Sequence, residues 1–376
     1  MGASKPAVVV IGAGHGGKAM AADLAIKGFS VRLYNRTYSR VEMIALRGGI
    51  DLEFEDGRSQ FAPLEMVTSD LGMALEGANL IMVVVPASAH ADIAAQCAPL
   101  LEDGQVILLN PGRTGGALEF RRVLREHECR ASVVVAEAQT FVLSSRSTGP
   151  AEARLFRSKI TVPLAALPST DTPKALELAR MAYPQFIPAR NVLETSLDNM
   201  GAVMHPSLMI LNAGRIEATR GEFQFYIDGA TPGVATVLEQ VDAERLAVAH
   251  ALHVRARSAL EWLRAAYASV GDDLFHAIQG TPTYRGVAAP RSLMHRYLFE
   301  DVPMSLVPIA TIGAHYGVET PTIRAVIQLA CVLHRKDYFA LGRTPARLGI
   351  ANMSVEQLTH YVEGRYRAAP TEAISH

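Results

Sequence analysis

The spacing of apolar positions changes character near residue 190. Before it, short β-branched runs alternate with helical patterns. Ala7–Ile11 is continuously apolar and reads as a buried strand. Gly17–Lys27 has the composition of a helix, and Gly28 is placed to cap it. Ser30–Tyr34, Asn79–Val85, Val106–Leu109 and Ser132–Val135 read as further strands, with Lys159–Pro163 as one more. Pro86 and Asn110-Pro-Gly are the stops. Strand–helix alternation of this kind predicts an α/β fold with a doubly wound parallel sheet and right-handed crossovers.

After Pro188-Ala-Arg-Asn191 the β-runs cease. Helical patterns cover Val192–Met204, Ser207–Thr219, Pro232–Leu252, Ala256–Val270 and Pro321–Leu333. The chain is therefore divided into residues 1–189, a sheet domain, and residues 190–376, a mostly α-helical domain. Ligands of open α/β sheets bind at the carboxyl ends of the strands, so the second domain is expected to close the substrate side of that cleft.

The first predicted strand runs into Gly12-Ala-Gly14-His-Gly-Gly17 and then a helix. Gly-x-Gly-x-x-Gly between a strand and a helix is the dinucleotide fingerprint of a Rossmann-type domain. Gly12 permits the turn, Gly14 lets backbone approach a pyrophosphate, and Gly17 lets helix and strand pack closely. The phosphates are expected on the free N–H groups of the helix start, with His15 beside them. The end of the second strand reads Tyr34-Asn35-Arg36-Thr37-Tyr-Ser-Arg40. An acidic residue there would bind the ribose hydroxyls and repel a 2′-phosphate. Neutral Asn35 followed by Arg36, with Thr37 and Arg40 near, favours NADP(H), while NAD(H) bound through Asn35 stays open. Val85-Pro86 and Asn110 end central strands where a nicotinamide ring would lie, and simple strand–loop punctuation explains them equally well.

Composition narrows the class without changing the fold. The 376 residues are 49% hydrophobic and 19% charged, with net charge −1, so no polyanionic partner such as nucleic acid is expected. Cys97, Cys129 and Cys331 are far apart and form no metal or disulfide pattern. No apolar run approaches a membrane span, and a cytoplasmic location is the expectation. His250 and His253 lie three apart on one helix but lack a third ligand, so no metal site is expected.

Two segments of the second domain carry candidate chemistry. His205, in Met204-His-Pro206, titrates near neutrality and can take and return a proton, although a lone histidine on an apolar helix is more often structural. In Arg296-Tyr-Leu-Phe-Glu300-Asp301-Val-Pro303, Asp301 can orient such a histidine and Arg296 can bind a carboxylate through paired hydrogen bonds. A surface pair between Arg296 and Glu300, four apart, is the plain alternative. Pro303 predicts that the helix ends near Asp301.

With these segments in view, the whole chain resembles the opine dehydrogenases, above all the bacterial N-(1-carboxyethyl)-norvaline type, and more distantly octopine dehydrogenase. The resemblance rests on Val85-Pro-Ala, Leu109-Asn-Pro-Gly, Thr114-Gly-Gly-Ala-Leu-Glu-Phe120, Ala202-Val-Met-His-Pro206, Val241-Asp-Ala-Glu-Arg245, Tyr284-Arg-Gly286 and Arg296 to Val302. It implies that His205 and Asp301 are the acid–base pair, that Arg296 binds a substrate carboxylate, and that Glu137, Arg146 and Tyr284 lie near the substrate. It also implies an NAD(P)H-dependent condensation of an α-keto acid with an amino acid, and a homodimer. The chain departs from its relatives at Gly201, where they tend to carry asparagine, and at Asn35-Arg36, where some carry an acidic residue. A keto-acid reductase of the ketopantoate type shares the first domain and the Gly-Val-x-Thr-Pro turn at 317–321, but relies on a lysine in the second domain. Residues 191–330 contain none. A redox sensor that holds NADP(H) without turnover is the alternative of another class.

Overall fold

The computed structural model describes residues 5–365, so the outer ends of the two predicted domains, 1–4 and 366–376, lie outside the described residues. Among the described residues there are twelve strands: β1 (Val8–Ile11), β2 (Val31–Tyr34), β3 (Gly49–Phe54), β4 (Ser59–Pro63), β5 (Met66–Thr68), β6 (Leu80–Val83), β7 (Val106–Leu109), β8 (Val134–Ala138), β9 (Leu143–Gly149), β10 (Glu152–Ser158), β11 (Val162–Leu167) and β12 (Phe186–Pro188). Eight of them form one sheet in the order β12-β11-β8-β7-β6-β1-β2-β5. Its strands are parallel except at the β8–β11 pair, where Leu164 faces Ala138 in antiparallel register. β1, β6 and β7 are buried along their whole length, as the continuous apolar runs require.

The sequence analysis missed the second sheet. Four strands, in the order β4-β3-β10-β9, pack against the helix His15–Ile26 from the side opposite the main sheet. That helix is thereby covered on both sides, which its small residues Ala19, Ala21 and Ala22 allow. The charge of Lys18 is buried with it. Its Nζ donates to the carbonyl oxygens of Gly149 and Pro150, at 2.9 and 2.7 Å, so the helix is stitched to the β9–β10 turn. The strands of this small sheet are half-exposed and polar on one face, so they lack the continuous apolar signal that betrayed the central strands.

The helices that follow the last strand begin at Val192, capped by Asn191, whose side chain accepts from the N–H groups of Leu193 and Glu194. The predicted helix Val192–Met204 is broken. Val192–Leu197 and Met200–Leu211 are separate, because the carbonyls at the break are claimed by side chains. Arg245 takes that of Leu197, and Gln139 that of Asp198, at 2.5 Å. Asp198 and Asn199 bond Arg257 and Ser305 instead of continuing the helix. A second correction concerns Asp301. The chain does not leave helical geometry there. Arg296–Phe299 gives way to a π-helical turn, Val302–Leu306, which feeds the helix Val307–His315. Pro303 lacks an N–H, and the wider turn absorbs the missing bond. Among the described residues no helix is long and apolar enough to cross a membrane, and no group of three or more potential metal ligands is present.

Candidate active site between the two domains

At the carboxyl end of β1, the glycine loop is shaped by contacts. Gly12 has φ +109°, and a Cβ there would lie 2.5 Å from the Val84 carbonyl oxygen. A Cβ at Gly17 would run into the Gly12 carbonyl, so neither position accepts a side chain. Gly14 instead faces open space, with nothing within 4 Å. Tight glycines behind and an open one in front leave a concave backbone surface at the start of a helix, which suits a pyrophosphate. The His15 ring nitrogen Nδ1 lies 2.8 Å from the Ser147 N–H and accepts from it. Burial, then Arg146 and other cations, lower the pKa of His15. Arg146, expected beside the substrate, is an exposed β9 residue on this glycine-loop side of the cleft.

Asn35 secures the loop from the next strand. Its Oδ1 accepts from Ala13 N at 3.2 Å and its Nδ2 donates to Thr37 O at 2.9 Å. Arg36, Thr37 and Arg40 are exposed just beyond it. Neighbouring Arg32 and Arg47 are paired with Glu65 and Asp51, whereas Arg36 and Arg40 have no ion-pair partner among the described residues. Val85 is half-buried and Pro86 exposed at the end of β6. Asn110, at the end of β7, is buried. Its Nδ2 donates to Leu108 O at 2.9 Å, while its Oδ1 has no hydrogen-bond partner.

The helical domain brings His205 and Asp301 together across 96 residues of sequence. His205 Nδ1 and Asp301 Oδ2 are 2.8 Å apart. The His205 ring is stacked on Tyr297 with centroids 3.9 Å apart, which fixes its plane. Pro206 follows within the helix, which runs on to Leu211. Burial lowers the pKa of His205. The hydrogen bond and charge of Asp301 oppose this, and Arg113 and Arg296 add to it, leaving the ring below its usual range. Burial alone would raise the Asp301 carboxyl, but Arg113 and then His205 outweigh it and hold it low.

Arg296 reaches Glu300 with Nε at 2.9 Å and Nη2 at 3.3 Å, so the helix pair forms. Its side chain is 49% exposed, leaving the Nη1 end of the guanidinium free. Glu300 itself is buried and also accepts from the Ala87 N–H, at 3.3 Å, just past the end of β6. Two resemblance-based placements do not hold as expected. Glu137 is wholly buried, and its oxygens accept from Thr195 Oγ1 (2.6 Å), Ser196 Oγ (2.8 Å) and Ala117 N (2.7 Å). It ties β8 to the first helix of the second domain rather than facing a substrate. Tyr284 is buried and stacked on Tyr226 at 4.1 Å.

Sequence reasoning missed two arginines. Arg113 follows the Asn110-Pro-Gly stop and lies 3.2 Å from Asp301 Oδ1. A cation next to a motif already singled out was the available signal. Arg343 carries no such mark, yet is fully buried between the domains.

The family model described as NAD/NADP octopine/nopaline dehydrogenase, alpha-helical domain, matches residues 188–334, and that of the NAD-dependent glycerol-3-phosphate dehydrogenase N-terminus matches residues 7–128. An opine dehydrogenase of Arthrobacter sp. (strain 1C) is 41% identical over 94% of this chain and 98% of its own length. An octopine dehydrogenase of Pecten maximus is 23% identical over 74% of this chain and 75% of its own. Among solved structures, octopine dehydrogenase in complex with NADH and agmatine superposes with a TM-score of 0.81 at 22% identity, covering 97% of this chain and 100% of that one. NADP+-bound yersinopine dehydrogenase gives 0.75 at 16%, covering 96% and 98%. The chain belongs to the opine dehydrogenase family, NAD(P)-dependent oxidoreductases that act on a carbon–nitrogen bond.

Proposed function

We propose that this protein joins an α-keto acid such as pyruvate to the amino group of an amino acid, using His205 as the proton-transferring residue and Asp301 to orient it. The observation that carries this reading is the 2.8 Å contact between His205 Nδ1 and a buried Asp301 carboxylate. With Nδ1–H donated to Asp301, Nε2 keeps a free lone pair. It takes a proton from the amine as nitrogen adds to the keto carbon. It returns that proton to the keto oxygen, giving the carbinolamine, and a second transfer through Nε2, from the same nitrogen to the hydroxyl, releases water and leaves the imine. A reduced nicotinamide, when bound, would supply hydride to the imine carbon, and Nε2 would relay a proton from solvent to the nitrogen, giving the secondary amine. Arg296 offers its free Nη1 end to a carboxylate, and Glu300 holds the other edge in place. The glycine loop, Val85, Pro86 and Asn110 are the residues placed to hold the cofactor.

The test is oxidation of NADPH and of NADH with pyruvate, with and without a panel of amino acids. Amino-acid-dependent oxidation is expected. Oxidation by the keto acid alone would move the reading to a keto-acid reductase, and no oxidation with any partner would move it to a binding protein.

The unpaired, exposed Arg36 supports a preference for NADP(H). Arg36→Glu places a carboxylate where a 2′-phosphate would sit. The KM for NADPH is expected to rise about 10–100-fold, the loss of one charge-assisted contact of about 1.5–3 kcal/mol, while the KM for NADH changes little. Equal effects on both cofactors in steady-state kinetics would remove Arg36 from 2′-phosphate recognition.

A further inference from the structure

We propose that Arg113, a residue of the cofactor-binding domain, is a positioning residue for the acid–base pair: it holds one carboxylate oxygen of Asp301 while the other stays on His205 Nδ1. The inference rests on the role proposed above for His205 and Asp301.

Four observations carry it. Asp301 Oδ2 is used by His205, whereas Oδ1 has no hydrogen bond, and Arg113 Nη1 lies 3.2 Å from it. The same guanidinium approaches a second buried carboxylate, with Nε 3.6 Å from Glu300 Oε1. It is therefore a nearly enclosed cation, 11% exposed, between two acids of the other domain. Its backbone is held on both sides: the carbonyl oxygens of Gly112 and Thr114 both accept from Arg343 Nη1, at 2.9 and 3.0 Å, and Arg113 itself sits at φ +59°. A side chain launched from so constrained a turn has a defined direction. Finally, Gly201 makes room for it. A Cβ at Gly201 would lie 2.5 Å from Arg113 Nη1 and 3.4 Å from His205 Nδ1.

The electrostatic consequence has a definite sign. The charged and titratable groups around His205 are Asp301, Arg113 and Arg296, with Tyr297 stacked on its ring and His295 set edge-on to Tyr297. The helix Pro232–Ala251, packed on the His205 helix, contributes Arg245 closed on Asp242. Its Glu244 is closed on the N–H groups of Thr322 and Ile323, at the start of the helix Pro321–His334. Burial lowers the proton affinity of His205 and Arg113 lowers it further. Removing the Arg113 charge leaves a buried carboxylate that attracts a proton onto the pair more strongly. The pair is thus set by the domain that holds the cofactor, not by the helical domain alone.

Arg113→Met and Arg113→Lys test this, with His205 followed directly by NMR titration of histidine Cε1–H signals in the full chain. The His205 signal is assigned by its loss in His205→Asn. The acid limb of kcat/KM is followed in parallel. Arg113→Met is expected to raise the His205 midpoint by about one pH unit or more, the scale of a close charge in a buried site, and Arg113→Lys by less than half of that. Gly201→Ala suits the helix backbone but pushes the guanidinium aside, so it should move the midpoint in the same direction by a smaller amount, and it serves if Arg113→Met does not fold. A midpoint unmoved in Arg113→Met, or in Gly201→Ala where that variant stands in, would overturn the inference, even if thermal stability fell. The NMR readout needs no turnover, so failure of the proposed reaction and failure of this inference are told apart.

Discussion

Replacing His205 by asparagine is expected to lower turnover by about 10²–10⁴-fold, the usual contribution of a positioned general acid–base group, with NAD(P)H affinity unchanged. Asparagine is the informative substitution because Asp301 is fully buried. Alanine would strip a buried carboxylate of its hydrogen-bond donor and confuse a chemical loss with a structural one. The asparagine amide can still donate toward Asp301 Oδ2 and can still lie against the Tyr297 ring. What it lacks is a nitrogen that takes up and releases a proton between pH 5 and 8. The measurement pairs kcat with fluorescence titration of NAD(P)H and a thermal melt. Turnover within about threefold of the parent, far inside the range expected for such a residue, would take His205 out of the chemistry.

The fold and the site were legible to different depths, for physical reasons. Central strands buried on both faces show as unbroken apolar runs, so β1 and β7 were found almost to the residue. The small sheet was not, because its strands present a polar face to solvent and have no continuous run. The glycine loop was readable because its pattern is contiguous and Gly17 meets the Gly12 carbonyl five residues back, although Gly12 itself meets Val84 and Val85, just past the end of β6. His205 and Asp301 were paired from the chemistry each can do and from the family resemblance, because spacing says nothing of a contact across 96 residues. The pair Arg296–Glu300 was foreseeable from its spacing, and the ion pair of the plain reading is present. Glu137 shows the opposite limit. The family resemblance alone set it near the substrate, and only the hydroxyls of Thr195 and Ser196 reveal it as a fastener between domains.

Arg343 is where the largest effect on stability is expected. It is fully buried, and each part of its guanidinium has a partner: Nε on Glu119 Oε2 at 2.7 Å, Nη1 on the carbonyls of Gly112 and Thr114, and Nη2 near Ala87 O and His90 Nδ1. Burial, together with the charges of Arg343 and Arg113, holds His90 neutral, so its Nδ1 can accept. Arg343→Met removes one charge and leaves Glu119, itself buried, without its counter-ion. Breaking a buried pair in this one-sided way costs about 3–5 kcal/mol, whereas removing both charges together costs much less. The expected pattern in urea unfolding is therefore a large loss for Arg343→Met, a comparable loss for Glu119→Leu, and a double variant more stable than the sum of the two. A loss below about 1 kcal/mol in Arg343→Met would mean that the burial is better compensated than a lone carboxylate allows. The same variant should also reach the chemistry. Arg343 grips the carbonyls on either side of Arg113, so releasing it frees the turn that aims Arg113 at Asp301. A rise of the His205 midpoint in folded Arg343→Met, in the direction expected for Arg113→Met, would link the fastening of the two domains to the tuning of the pair between them.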